Sequence, residues 1–408
     1  MKNEYLYFVD FGLEHITLLV CKLTDNRLTE VPLLLTQKIE ISSHRPQNVF
    51  SQIENFDYLV KLITKAEKQL NKDINEIIFL SKNDAFEIFF TTCKIEFKKA
   101  QKILQSHKEK LSTQVLKMFY EKTNYLCTIL DLLCNNFILD DNIEIKNPYK
   151  MSCKKIILNS TIISIKNSFF KNFSVFLERY KIHMKHYISP CIATYNLMQY
   201  NLPQKGNFLF IDIGSCNTEY CIVMNRCVTF LDKVNLGGLD MTRDIATELK
   251  IYIRDADKVK QKIARTDIQN TKNTNTKFVV NQVEQIADAR LNEIIQYIKK
   301  TIQEDKNFKD IFFKKIYVFG SAAQYKNTTD IINEIFDTEV EVLDQNCILN
   351  SDILSNKIKE EDLKTENIQI FGAVDFYVNN LNNYKNAKRG FLFKIPSKIS
   401  CFLKDILY

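Results

Sequence analysis

Read for the spacing of its apolar positions, the chain separates into short strands and longer amphipathic stretches. Residues 7–23, YFVDFGLEHITLLVCKL, form an apolar run that is interrupted at Asp10 and Gly12 and then resumes, the pattern of two strands joined by a tight turn. Residues 209–225, LFIDIGSCNTEYCIVMN, repeat it: apolar strand, Asp-x-Gly, short turn, second strand. Asp10 and Asp212 lie 202 residues apart. That is far beyond a solenoid period of about 20 to 50 residues, so the echo predicts two similar domains, each opening with the same β-hairpin and together framing one cleft.

Four further stretches have a readable pattern. NLGGLDMTRDIA at 235–246 sets Gly237 and Gly238 directly before a helix with Asp240 and Thr242 in its first turn. KKIYVFGSAAQYKN at 314–327 is an apolar strand running into Gly320, Ser321 and two alanines, then a helical pattern. Residues 283–298 place Val283, Ile286, Ala287, Leu291, Ile294, Ile295 and Ile298 on one helical face, with Arg290 and Glu293 on the other. After Gly390, FLFKIPSKISCFLKDILY puts Ile399, Phe402, Leu403, Ile406 and Leu407 on one face of a short helix, with Lys398 and Lys404 elsewhere around the wheel.

The chemistry follows from the turns. An Asp-x-Gly turn sets a carboxylate beside exposed backbone N–H groups, and glycine lets the backbone approach a phosphate without a side-chain clash. Two such hairpins facing each other can clamp one polyphosphate, with Asp10 and Asp212 holding Mg2+ through water. Taken singly, each motif has a plainer reading: a hairpin turn, a helix cap at 235–246, a tight strand-to-helix turn at Gly320. The apolar face after Gly390 docks either on the protein's own core or on a membrane interface, and nearby Lys388, Arg389, Lys394 and Lys398 favour the interface.

Composition narrows the class. With 408 residues, 45% hydrophobic and 26% charged, the chain is expected to fold as roughly two to four units. The formal charge of +7 is spread along the chain and forms no nucleic-acid-binding stripe, so no nucleic-acid partner is expected. Eleven cysteines contain no CxxC, and the spacing of Cys216, Cys221 and Cys227 fits neither zinc nor a disulfide framework, so reduced thiols inside the cell are expected. His183 and His186 have no carboxylate motif beside them and read as surface or core residues. Asp10 and Glu14 interrupt any signal-peptide core, and no run of about 18 uncharged apolar residues occurs.

In order, these pieces resemble the phosphate-1, phosphate-2 and adenosine motifs of the actin, Hsp70 and sugar-kinase superfamily. Residues 208–251, FLFIDIGSCNTEYCIVMNRCVTFLDKVNLGGLDMTRDIATELKI, resemble the FtsA family most. The resemblance implies an α/β, actin-like fold: two RNase H-like domains around a nucleotide cleft, with an FtsA-type inserted 1C subdomain. Its implied boundaries are 1–80 and 159–203 for subdomain 1A, 81–158 for 1C, 204–250 and 314–378 for 2A, and 251–313 for 2B. Residues 379–408 would be a linker, rich in Asn and Lys over 376–389, and a C-terminal amphipathic membrane helix.

By the same resemblance ATP with Mg2+ is the cofactor, and Asp10, Gly12, Asp212, Gly214, Ser215, Asn217, Thr218, Gly237, Gly238, Gly320 and Ser321 line its site. The FtsZ C-terminal peptide would meet 2B near Arg290 and Glu293. Copies would polymerise as actin-like filaments, Ile399, Phe402, Leu403, Ile406, Leu407, Lys398 and Lys404 would bind membrane lipid, and other divisome proteins would be recruited at the septum, on the cytoplasmic face of the inner membrane. The product is an assembly, with at most weak ATPase activity. Glu14 in the first hairpin, the polar run Ser215 to Glu219 and the single glycine at 320 depart from the family pattern and predict weak ATP binding with little hydrolysis. A small-molecule kinase of the same superfamily needs a general base for which no motif is present, and a pilus-type actin-like adaptor would differ in partner.

Overall fold

The two echoing segments build the same sheet twice. In this computed structural model, which describes residues 3–12, 14–39, 53–81, 86–145, 147–203, 205–265 and 274–390, the first sheet is made of β1 (Asn3–Phe11), β2 (His15–Thr24), β3 (Arg27–Lys38), β4 (Glu76–Leu80) and β9 (His183–Ile188). Its order is β3-β2-β1-β4-β9, with an antiparallel meander on one side and two parallel strands on the other. The second sheet repeats that order with β10 (Asn207–Ile213), β11 (Thr218–Met224), β12 (Cys227–Val234), β13 (Lys315–Phe319) and β14 (Val340–Val342). Counted within each lobe, both sheets read 3-2-1-4-5.

The central strands β1, β4, β10, β11 and β13 are covered on both faces, which is why they are apolar at most positions. On β10 the alternation is resolved side chain by side chain: Leu209, Ile211 and Ile213 enter the second lobe's core, while Phe208 and Phe210 join the core shared with the first lobe. The second lobe's outer layer is α5 (Gly238–Leu249), α7 (Thr274–Glu304) and α8 (Thr328–Phe336). The stripe on α7 is core packing, with Val283, Ala287, Leu291, Ile294, Ile295 and Ile298 all buried. A smaller cluster, Ile245, Ala256, Ile263, Val280 and Val283, holds α6 (Ile253–Arg265) against α5 and α7.

Between the lobes run α4 (Pro190–Met198) and α10 (Ile368–Gly390). Every residue of α4 is buried. The two helices cross at Gly372, where a Cβ would stand 2.4 Å from the carbonyl oxygen of Ala193. The stretch 376–389, expected as linker, is instead the second half of α10. It contains no proline or glycine to stop a helix, and Val374, Tyr377 and Leu381 bury one face, so its Asn and Lys content did not decide its state.

Between β4 and β9 the chain builds a separate sheet, β5 (Phe86–Lys102), β6 (Cys127–Leu139), β7 (Ile143–Ile145) and β8 (Ser152–Lys166), in the order β5-β8-β6-β7. The helix α2 (Gln105–Thr123) covers it through Leu111, Val115 and Phe119. β8 continues past residue 158, the expected end of the inserted subdomain, to Lys166 before α3 (Asn167–Arg179) returns the chain to the first sheet. Ile163 and Ile165, at the end of β8, share a core with Val228 and Leu231 of β12, so the inserted sheet braces the second lobe as well as the first. Ile399, Phe402, Leu403, Ile406, Leu407, Lys398 and Lys404 lie outside the described residues. No described helix is long and apolar enough to cross a membrane.

Candidate functional site

The two Asp-x-Gly turns close on one another. They line a cavity of about 120 Å³ together with the Gly320–Ser321 turn, the short turn Thr365–Asn367 that leads into α10, and Gln369 of α10. Each turn is made the same way: Gly12 N–H donates to the His15 carbonyl at 3.0 Å, and Gly214 N–H donates to the Asn217 carbonyl at 3.0 Å. Of the residues expected there, Asp10, Gly12, Gly214, Ser215, Asn217, Gly320 and Ser321 line the cavity.

Asp212, Thr218, Gly237 and Gly238 do not line it. Asp212 is fully buried beneath the Gly320 turn and accepts a hydrogen bond from Gln369 Nε2 at 2.9 Å. Thr218, also fully buried, donates to the Leu236 carbonyl at 2.9 Å. Gly237 and Gly238 support the second turn from behind: Gly238 N–H donates to the Gly214 carbonyl at 2.9 Å and Leu239 N–H to that of Ser215 at 2.7 Å. Asp240 caps the same helix start by accepting from Gly237 N–H at 2.9 Å. The first amides of α5 therefore face the turn's carbonyls rather than the cavity, a placement that sequence spacing alone does not reveal.

These close approaches explain the glycines. Gly320 has φ +101, the left-handed region, and a Cβ there would stand 2.4 Å from Asp212 Oδ1. At Gly237 a Cβ would stand 2.5 Å from the Gly214 carbonyl and 2.6 Å from that of Ser215. Gly237→Ala is therefore expected to displace the turn at 214–217 and to cost about 2 kcal/mol in urea unfolding. An unchanged midpoint would show that the turn is not held from this side.

The charge around the cavity is negative. Asp10, Glu14 and Glu366 are on its wall, His15 is the one basic side chain type among the described lining residues, and neither lysine nor arginine is among them. Lys260 points away, donating to the Gly238 carbonyl at 2.9 Å and to Thr242 Oγ1 at 2.5 Å. Arg290 is engaged within its own lobe: its guanidinium holds Asp244 in two bonds of 2.6 and 3.0 Å and also bonds Glu293. The hydrogen bond to Asp244 raises its pKa above the ordinary arginine value. Arg290 thus already has carboxylate partners within the chain.

Gln369 and Glu219 make buried contacts at the cleft that no motif announced. Glu219, buried on β11, accepts from Ser189 Oγ and from Cys191 N–H, both at 2.9 Å, at the start of α4, which runs between the lobes. Gln369 meets Asp212 across 157 residues of sequence. Their shared signal is a polar residue in an otherwise apolar setting, and it names no partner.

ATP with Mg2+ does not fit the cleft as these residues hold it. Asp212 is committed to Gln369, the helix amides are committed to the turn, and three carboxylates without a lysine or arginine face the space a triphosphate would take. Gly238 lies close to Ala322: a Cβ added at 238 would stand 2.8 Å from the Ala322 Cβ. Among the described residues no group of three or more His, Cys, Asp or Glu is placed to hold a metal ion.

A sheet built twice in the same order, with paired hairpins meeting over one cleft, defines an actin-like α/β protein. The chain resembles a solved chain of the PilM-PilN type IV pilus biogenesis complex with a TM-score of 0.63 at 10% identity, covering 91% of this chain and 98% of that one. The family model described as "Cell division protein FtsA" matches residues 209–362. The cell division protein FtsA of Bacillus subtilis (strain 168) is 21% identical over 330 residues, 74% of this chain and 71% of that protein. The chain is thus similar to the FtsA family over its second lobe and has an actin-like fold.

Proposed function

We propose that the protein is an adaptor of the division ring. It tethers FtsZ to the cytoplasmic face of the inner membrane at the septum, assembles with itself as an actin-like filament and recruits later divisome proteins. The observation that carries this reading is the combination of a duplicated five-stranded sheet with a separate four-stranded sheet inserted between β4 and β9, in a chain whose residues 209–362 match the FtsA family model. In this assignment the first sheet with α4 is subdomain 1A, the inserted sheet is 1C, the second sheet is 2A, and α6 with the start of α7 is 2B.

FtsZ's C-terminal peptide is assigned to 2B. Because Arg290 already holds Asp244 and Glu293, an incoming carboxylate exchanges with one of them rather than meeting a free cation. The amphipathic face of 399–407, with Lys398 and Lys404, is assigned to the membrane. One such helix of about 12 residues binds reversibly, and a row of them on a filament attaches stably. This adaptor role asks nothing of ATP hydrolysis. The carboxylate-lined cleft between Asp10 and Gly214 does not fit ATP with Mg2+ in the arrangement described above, so weak nucleotide binding at most is expected.

Removing residues 391–408 is expected to abolish co-sedimentation with anionic liposomes while leaving saturable binding of an FtsZ C-terminal peptide in fluorescence anisotropy intact. Liposome binding that survives the deletion sinks the membrane assignment, and a peptide that does not bind the full chain sinks the tether.

A further inference from the structure

Lysines that lie apart in the sequence, over residues 98–110 and 147–154, meet at one end of the inserted sheet. Lys98, Lys99 and Lys102 stand at the end of β5, Lys108 and Lys110 at the start of α2, and Lys150 and Lys154 where the chain enters β8. The backbone joins the two stretches: Ile103 N–H donates to the Met151 carbonyl at 2.8 Å, and Lys150 N–H donates to the Ile103 carbonyl at 2.9 Å. Lys108 Nζ also reaches Asn147 Oδ1 at 3.4 Å. Against these lysines the two stretches hold one acid, Glu109, and none of the lysines is held in an ion pair among the described residues. The acids of the neighbouring strands are occupied elsewhere, Glu96 by Lys94, Asp141 by Lys155 and Glu144 by Asn225.

Two apolar side chains stand among these charges. Leu104 is 52% exposed and Tyr149 46%, and each directly follows or precedes the Ile103–Lys150 pairing, so they leave the sheet as neighbours. Lys150 Nζ lies 5.4 Å from the centroid of the Tyr149 ring. Lysine along an edge strand has a plainer task, to keep that edge from pairing with another chain, and β5 is such an edge. That task does not account for the lysines on α2 and at the start of β8, nor for a leucine and a tyrosine left in water between them. Together they suit a lipid headgroup layer: the ammonium groups meet anionic lipid phosphates, while the ring and the leucine enter the boundary of the acyl region.

We propose that this end of the inserted sheet is a second membrane contact, selective for anionic lipid. It goes beyond the adaptor reading, which gives the membrane only residues after Gly390, and it uses different residues. Each lysine brought to an anionic surface adds attraction, and two weak contacts on one chain act together. Two points of attachment also restrict how the chain faces the bilayer more than one does.

The sequence contains no tryptophan, so Tyr149→Trp in the full chain reports on this place alone. Its emission is expected to shift to the blue with phosphatidylglycerol vesicles and to stay unchanged with phosphatidylcholine vesicles or with polyglutamate. Replacing the exposed Lys98, Lys99 and Lys102 together by glutamine is expected to raise the phosphatidylglycerol concentration for half-maximal co-sedimentation at least about ten-fold.

No shift with anionic vesicles, an equal shift with neutral ones, or a triple variant that sediments like wild type overturns the contact. An equal shift with polyglutamate overturns it in favour of an acidic polypeptide. The tail is read separately, by its deletion. A tryptophan that stays silent on a chain that still sediments removes this contact and leaves the tail. Sedimentation that survives loss of residues 391–408, with the tryptophan still shifted, removes the tail and leaves this contact.

Discussion

Gly372→Val is expected to lower the stability of the protein by more than about 3 kcal/mol in urea unfolding. The reason is that α4 and α10 touch backbone to backbone. A Cβ at 372 would stand 2.4 Å from the Ala193 carbonyl oxygen, 2.6 Å from its carbon and 3.1 Å from the Thr194 nitrogen. None of these atoms is the end of a flexible side chain, so the helices must part. Parting them opens the layer where Ala193, Phe371, Ala373 and Val374 pack beneath the first sheet, and a loss of contacts follows the clash. The same layer carries Gln369 and Ser189, which reach across to the second lobe, so the variant is also expected to loosen the cleft. A midpoint within about 0.5 kcal/mol of wild type would mean that the crossing is not as close as described.

The parts of this architecture that could be read from the sequence are those fixed by neighbours along the chain. Each Asp-x-Gly turn is closed by a hydrogen bond across three residues, Gly12 to His15 and Gly214 to Asn217, and its flanking strands alternate in place, so both hairpins and their equivalence were legible. The apolar stripe on α7 was legible for the same reason, since a helix brings positions three and four apart onto one face. What was not legible depends on partners far away. Gly237 and Gly238 sit at a helix start whether the amides there face a phosphate or the carbonyls of Gly214 and Ser215, and only the fold shows that they face the carbonyls. Asp212 looks like a metal ligand in its own segment and becomes the acceptor of Gln369 only when α10 is placed. Arg290 reads as an exposed cation opposite a buried stripe until Asp244, on another helix, is found to hold it. The stretch 376–389 failed differently: polar composition was weighed above the absence of helix breakers and above a buried face spaced at Val374, Tyr377 and Leu381.

Between pH 7 and pH 5 the protein is expected to gain stability through Asp375. This carboxyl is fully buried in α10, and burial pushes its pKa from the ordinary 3.8 up to about 6, against the opposing pull of hydrogen bonds from Ser351, Asn196 and Asn379. Nearby Asp352 adds to the rise. In the unfolded chain the group has released its proton by about pH 4, whereas in the fold it keeps the proton until about pH 6. The folded state therefore binds more protons in that window, and stability falls as pH rises through it. Above pH 6 the full cost, about 3 kcal/mol at 1.36 kcal/mol per pKa unit, is present. On descending from pH 7 to pH 5 roughly 1.4 kcal/mol of it is returned, and the rest returns only as pH nears 4. Other carboxylates titrate over the lower part of this range, so the quantity to measure is the difference between wild type and Asp375→Asn in urea unfolding at the two pH values. The asparagine variant should lack the gain. If both proteins respond to pH alike, the buried carboxyl at 375 is already ionised in the fold at pH 5, and the three donors around it outweigh its burial.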